Sequence, residues 1–186
     1  MINSLRPTTR DAIIEAAFDI FSRDPSAALS EISDRAGVGR ATLHRHFASR
    51  NDLVRALALI AIDEMDAAAE AACANVTSVA EAFQRVLAAL IPLGDRHGFL
   101  ALEPIDNDPE IAAAYARQQR ETRDMVEEAK AEGLFNKSVP TGWIIQAFDH
   151  LLYAAWENVK AGETTQNQAA DLAWRTLTTG LGRRRK

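Results

Sequence analysis

Arg40, Thr42, His44, Arg45 and Arg50 fall within one short stretch, RATLHRHFASR, and side chains of these types suit contact with nucleic acid. A guanidinium such as that of Arg40 can donate two parallel N–H groups to a guanine edge, and the Thr42 side chain can meet a thymine methyl or a phosphate. The His44 imidazole donates well to a phosphate only when a ring N–H faces it or the ring is protonated. Arg45 adds a second cation, and Arg50, near the start of the next helix, suits a backbone phosphate. The competing reading of the same residues is a solvated helical surface.

Other chemistries find less support. His44 and His46 are two apart, and such residues on a helix do not converge on one ion. With no Cys or carboxylate at ligand spacing, no metal is expected. His97 and His150 have Asp95 and Asp149 nearby, but neither pair has the spacing of a metal or nucleophile motif, and no Ser- or Cys-centred elbow is present. No catalytic residue or cofactor is assigned, and the chain is not expected to be an enzyme.

The elements that must position the cations are short. Leu29, Ile32 and Ala36 form a helical pattern that stops at Gly37, where a left-handed turn meets no steric cost. After Val38 and Gly39 a second pattern begins, with Leu43, His46 and Phe47 on one face. Two helices of about two turns joined by a tight Gly-containing turn have the sequence form of a helix-turn-helix. Helices of that length are marginal alone, so both must dock on something upstream. Arg40, Ala41, Thr42, His44 and Arg45 then stay exposed, a small-residue face with cations that can enter a major groove.

The chain has 186 residues, 47% of them hydrophobic, enough for a core in one or two compact units. Sparse Gly and Pro beside abundant Ala favour helix throughout. The net charge of −5 is unevenly spread: eight Arg face seven acids in residues 1–55, nine basic face nineteen acidic residues in 56–182, and RRRK follows. An acidic body with an Arg-dotted head suits a protein that touches DNA at one end. The single Cys73 cannot form an internal disulfide, and MINSLRPTTR lacks the apolar core of a signal peptide. The longest apolar run, Ala56 to Ile62, is too short to span a bilayer. A reduced cytoplasm and no membrane are expected.

Thr8 or Thr9 caps a first helix whose stripe is Ile13, Ile14, Ala17, Phe18 and Phe21, stopped by Asp24-Pro25-Ser26. Ser49 with Asp52 caps a helix from Asn51 to about Cys73. Ser78 and Glu81 form a capping box for a helix carrying Val79, Phe83, Val86, Leu87 and Leu90, which Pro92 kinks or ends. Gly94 to Asn107, containing Gly98 and Pro104, reads as the least regular part. Asp108 and Pro109 start a helix through Ile111, Tyr115, Met125, Val126 and Ala129 to Gly133. Pro140 opens another, with Trp143, Ile144, Ala147, Phe148, Leu151, Leu152, Ala155 and Trp156 on one wide face, closed by Gly162. Thr165 and Gln168 cap the last. The expectation is an all-α chain of about nine helices, with a helix-turn-helix domain over 1–54 and a helical ligand-binding and dimerisation domain over 55–186.

In that second domain Gln118 and Thr122 break an apolar line. They either line a cavity with a few hydrogen-bonding groups or mark a half-exposed stretch. Phe83, Leu87, Phe99, Leu102, Trp143 and Phe148 are candidate apolar walls. The last helix carries Ala169, Ala173, Thr176 and Gly180 along one line and Trp174, Leu177 and Leu181 along another. If the first line faces outward, the last two helices of two copies can form a four-helix bundle about a two-fold axis. The alternative packs both lines within one subunit.

The stretches RDAIIEAAFDIF, EISDRAGVGRATLHRHF and ASRNDL together resemble the TetR family of transcriptional regulators, over roughly the first third of the chain. Three departures are visible: His44 stands where the family usually has Tyr, Gly39 where it has a capping Ser, and Ala27 and Ala28 where it opens the first short helix with Thr, so that Ser26 or Ser30 is left to supply that phosphate contact. The resemblance implies a homodeomain-like head, an effector pocket among the body helices and a homodimer. It also implies a ligand-responsive repressor that binds a double-stranded DNA operator and is released by an unknown small-molecule effector. The alternative is a helical protein-interaction or scaffold module without DNA binding.

Overall fold

The computed structural model describes residues 8–102 and 108–181, with side chains described through Gly180. The RRRK tail, Pro104 and the Leu181 side chain, all part of the sequence reading, lie outside these described residues. Among the described residues the chain forms nine α-helices, one 3-10 turn and no strand. Two compact units divide them, one of residues 1–61 and 95–111, the other of residues 62–94 and 112–186. The expected boundary after residue 54 differs from this division, in which helix residues 95–102 group with the N-terminal segment.

The first unit begins with α1 (Thr9–Phe21). Its N-terminus closes in a capping box: Asp11 N–H donates to Thr8 Oγ1 at 3.2 Å and Thr8 N–H to Asp11 Oδ2 at 3.0 Å. Those bonds satisfy two orphan helix donors and hold the Asp11 carboxyl below its usual range. Ile13, Ile14, Ala17, Phe18 and Phe21 are buried along one stripe. Helix α2 (Leu29–Arg35) has Ala28 as its cap, which offers no side-chain acceptor, but Glu31 Oε1 accepts from Ala28 N–H at 2.9 Å. Gly37 has φ +68°, a conformation that only a residue without Cβ adopts freely. Helix α3 (Arg40–His46) follows from Gly39, whose cap makes no side-chain bond.

The first residues of α4 (Arg50–Cys73) belong to this unit. Ser49 Oγ accepts from Asp52 N–H at 3.1 Å. Residues 94–102, expected to be irregular, form helix α6 (Gly94–Leu102). The cost of Gly98 inside a helix is about 1 kcal/mol, and burial of Phe99 and Leu100 outweighs it. Phe99 meets Phe18 edge-on at 5.6 Å and lies 6.5 Å from Phe21. Asp108 Oδ1 accepts from Glu110 and Ile111 N–H at 2.9 and 3.3 Å, capping α7 (Pro109–Ala131). Asp108 and Glu110 also take the Arg55 guanidinium.

The second unit holds the rest of α4 and α7, with α5 (Val79–Leu90), a 3-10 turn over Ile91–Leu93, α8 (Thr141–Lys160) and α9 (Gln166–Leu181). Ser78 accepts from Glu81 N–H at 3.2 Å, while the Glu81 carboxylate reaches back to Thr77 N–H and hydroxyl, both at 2.9 Å, instead of closing the expected box on Ser78. Thr165 and Gln168 exchange both capping bonds at the start of α9. The α8–α9 pair is the most extensive helix packing. Phe83 is the hub of the aromatic core, with Phe135 and Phe148 edge-on at 5.5 and 6.0 Å. Gly94 packs on Trp156: a Cβ built there would lie 2.2 Å from Trp156 Cγ.

Candidate nucleic-acid interface

Leu43 and Phe47 are 1% and 4% exposed and seat α3 on the core of the first unit. Burying a residue of this size contributes about 2 kcal/mol, enough to order a helix too short to persist alone. His46, expected to share that inward face, is exposed instead. The Arg10 guanidinium lies over the Phe47 ring at 5.5 Å from its centroid, an anchor that needed no histidine.

With Leu43 inward, the three-dimensional face carries Arg40, His44 and Arg45, all exposed, with Thr42 half-buried. Arg45 Nη2 donates to Thr42 Oγ1 at 2.9 Å, so those two side chains form one hydrogen-bonded unit. Arg40, Leu43 and His44 share with Ala28, Leu29 and Ser30 an open cleft of about 230 Å³. Ser30 thus borders the face through which α3 would meet a duplex. Ser26, the other hydroxyl considered for a phosphate, is spent internally: its N–H and Oγ both donate to Asp24 Oδ1, at 2.9 and 2.6 Å. Those bonds, with a smaller contribution from the Arg50 charge, hold Asp24 below its usual range.

Arg50, expected at a phosphate, engages the protein's own backbone. Its Nη1 donates to the Ala27 carbonyl at 2.8 Å, its Nη2 to the Pro25 carbonyl, and its guanidinium carbon lies 4.2 Å from the Phe21 ring centroid. The side chain turns inward because backbone carbonyls and an aromatic face offer a planar guanidinium donors' partners and stacking at once.

The candidate effector residues are scattered. Phe83, Leu87 and Phe148 are brought together in the second unit's core. Phe99 belongs to the first unit, against Phe18 and Phe21, and Leu102 and Trp143 are 49% and 60% exposed, so the structure does not bring these three together with the others. Each lies off the predicted face because α6 packs in the head and the α8 core row runs through Ile144, Ile145, Phe148 and Leu152. Gln118 Nε2 donates to Asp66 Oδ1 at 2.8 Å, and Arg117 Nη2 reaches Asp66 Oδ2 at 2.5 Å. The Thr122 hydroxyl donates to the Gln118 carbonyl at 2.9 Å. The polar break in α7 therefore has a partner, Asp66, that sequence reading missed.

On α9 the expected outward line divides. Ala169 and Ala173 are 3% and 4% exposed, in one row with Leu177, whereas Thr176 and Gly180 are exposed. The spacing i, i+4, i+8 puts Ala169, Ala173 and Leu177 on one stripe, and that stripe faces α5 and α8. Leu172 and Trp143 are the large exposed apolar side chains of these two helices.

Arg96 escaped notice in the sequence. Buried to 7% exposure, it pairs with Glu15 of α1 and, at 2.9 Å, with Asp95. Burial raises the Asp95 carboxyl above its usual range, with Arg96 opposing the shift. No group of three or more His, Cys, Asp or Glu among the described residues could hold a metal, and no helix among them is long and apolar enough to cross a membrane.

Residues 13–57 match the family described as bacterial regulatory proteins, tetR family. The chain is 36% identical over 177 residues, 95% of its length and 92% of the relative's, to the HTH-type transcriptional repressor LfrR of Mycolicibacterium smegmatis. Among solved structures it is similar to the TetR-like transcriptional regulator LfrR from Mycobacterium smegmatis in complex with proflavine. That match has 34% identity and a TM-score of 0.71, covering 95% of this chain and 97% of that one. The ketosteroid transcriptional regulator KstR2 of Mycobacterium tuberculosis shares the fold, at 17% identity and a TM-score of 0.75 over 99% and 100% of the two chains.

Proposed function

Since the chain belongs to the TetR family of bacterial regulatory proteins, we propose that it is a cytoplasmic repressor, without enzymatic activity or cofactor, that binds an operator as a homodimer and releases it on binding a small molecule. The observation that carries this reading is the exposed row Arg40, His44 and Arg45 on a helix seated by Leu43 and Phe47. Arg40 reads a base edge, while Arg45 with Thr42 contacts phosphate or sugar. A relative has been solved with proflavine, which makes a flat aromatic cation the first effector to try here.

The mechanism is a population shift. Two heads held at half-site spacing bind DNA tightly, and an effector that prefers another arrangement lowers operator affinity by the same factor by which DNA lowers its own. Because Ala169 and Ala173 face the core of their own subunit, the proposed dimer surface uses the exposed residues of α8 and α9, Trp143, Leu172, Thr176 and Gly180. Binding to duplex across a salt series tests the central claim: affinity should fall with a log–log slope of about −0.9 per phosphate contacted. A flat response with no preferred sequence would point to a protein-interaction module instead.

A further inference from the structure

The inward turn of Arg50 has a consequence for the interface that does not require it to touch DNA. Helix α2 has seven residues, and its cap residue Ala28 offers no side-chain acceptor, so that Glu31 alone closes the N-terminus from within the helix. A helix so short is marginal on its own. Its N-terminal residues Ala28, Leu29 and Ser30 nevertheless form one wall of the cleft whose other wall is Arg40, Leu43 and His44. Something must fix that wall, and the residues immediately before it are held by Arg50. The two carbonyls it engages, Pro25 and Ala27, lie 25 and 23 residues away in sequence, and its guanidinium also lies over Phe21, the last residue of α1. A single side chain thereby joins the end of α1, the approach to α2 and the start of α4. We propose that Arg50 is a positioning residue for operator recognition, setting the α2 wall of the cleft through the 25–27 segment, and is not itself a phosphate contact.

The chemistry separates this role from the phosphate role. A phosphate can also be met by a point charge, so lysine there would keep the charge contact and most of the salt slope, though not a bidentate fork. A fork that donates to two carbonyls while stacking on a ring needs a planar guanidinium, and an ammonium cannot do all three. The inference rests on the DNA-binding reading, and salt-dependent operator binding by the unaltered protein checks that reading first, whatever the variants do.

The full-length dimer with Arg50→Lys and with Arg50→Gln is titrated against operator duplex over a salt series, and the active fraction is obtained from stoichiometric titration. Both variants should bind operator roughly ten- to a hundredfold more weakly, as expected for charged hydrogen bonds lost from a part-buried site. Their salt slope and active fraction should match the unaltered protein. If lysine restores affinity while glutamine lowers it and cuts the slope by about 0.9 per subunit, Arg50 is a phosphate contact and the proposal is wrong. Variants that bind as tightly as the parent also overturn it, and so does a reduced active fraction at unchanged affinity, which marks a purely structural role. Amide exchange gives a second readout on the full chain: residues 24–31 should exchange faster in Arg50→Lys, with α8 and α9 unchanged. Unaltered protection there would likewise overturn the proposal.

Discussion

The Arg96 guanidinium lies face-on over the ring of Phe18, its carbon 4.4 Å from the ring centroid, while the same side chain pairs with Glu15 and Asp95. One cation thus joins α6 to α1 through stacking and charge together. Arg96→Met should cost about 3 kcal/mol in denaturant unfolding at neutral pH. That is the low end for breaking a buried pair, because Glu15 is mostly in water. Asp95 would then be left ionised in a poorly hydrated place. Burial already raises its folded value above the unfolded one, so its charge opposes folding most at high pH, and protonation relieves it. The deficit of the variant should therefore shrink as pH falls toward about 4; a deficit independent of pH would exclude this account.

Asp108 titrates in the opposite sense. The Arg55 hydrogen bond, with those from the Ile111 and Glu110 amides, holds its carboxyl below 3.8. A folded value below the unfolded one gives stability that is present above 3.8 and lost as pH falls through the folded value. Asp108→Asn keeps an acceptor for the cap but gives up the charge. Its melting temperature should lie below that of the parent at neutral pH and converge with it in strong acid.

Arg40→Ala should relax sequence preference at one operator position by roughly 1–3 kcal/mol per half-site while leaving other positions alone. Selection of bound sequences from a randomised duplex pool measures this directly. A uniform loss at every position would make Arg40 a phosphate contact.

Phe135→Ala should be among the most destabilising changes in the second unit, costing about 4 kcal/mol. Phe135 is 1% exposed and edge-on to Phe83, so truncation leaves a hole beside the hub of the aromatic core. Calorimetry or urea unfolding reads the loss.

Ala173→Glu and Leu172→Glu, neighbours in sequence, should behave differently. Ala173 is 4% exposed and Leu172 is 51% exposed. A glutamate at 173 puts an unpaired charge into the core and should cost about 4 kcal/mol or more. At 172 it should leave the fold within about 0.5 kcal/mol of the parent yet weaken dimerisation in sedimentation. A Leu172→Glu protein that remains fully dimeric removes Leu172 from the proposed interface.

Local features of this chain were legible in sequence because their causes are local. The turn at Gly37, the capping pairs Thr8 with Asp11 and Thr165 with Gln168, and the start at Asp108 depend on residues within three or four positions. The cations of α3 were legible for the same reason, since Leu43 fixes the inward face. The partners of Arg50 were not legible because they lie more than twenty residues away, nor was the place of Phe99, because Phe18 and Phe21 are about eighty residues upstream. The α8 and α9 faces were ambiguous for another reason. Their periodicity allows two neighbouring stripes, and only the packing of α5, α8 and α9 decides that Ala173 goes in while Trp143 stays out.

Gly94 and Trp156 are bound to each other as mutational partners. Where a Cβ on residue 94 would stand, the indole already stands, 2.2 Å away, and that ring is itself held between Tyr153 at 5.5 Å and the Lys160 ammonium at 4.8 Å. Gly94→Ala in the present background should therefore cost far more than the usual gain from replacing a helical glycine. Trp156→Leu made beforehand should not rescue the alanine, because Trp156 Cβ, which leucine keeps, also lies 2.3 Å from that point. Order of mutation therefore offers no way round: any side chain at position 156 beyond glycine brings a Cβ to that point, and position 94 stays glycine on every path that keeps these two helices in place.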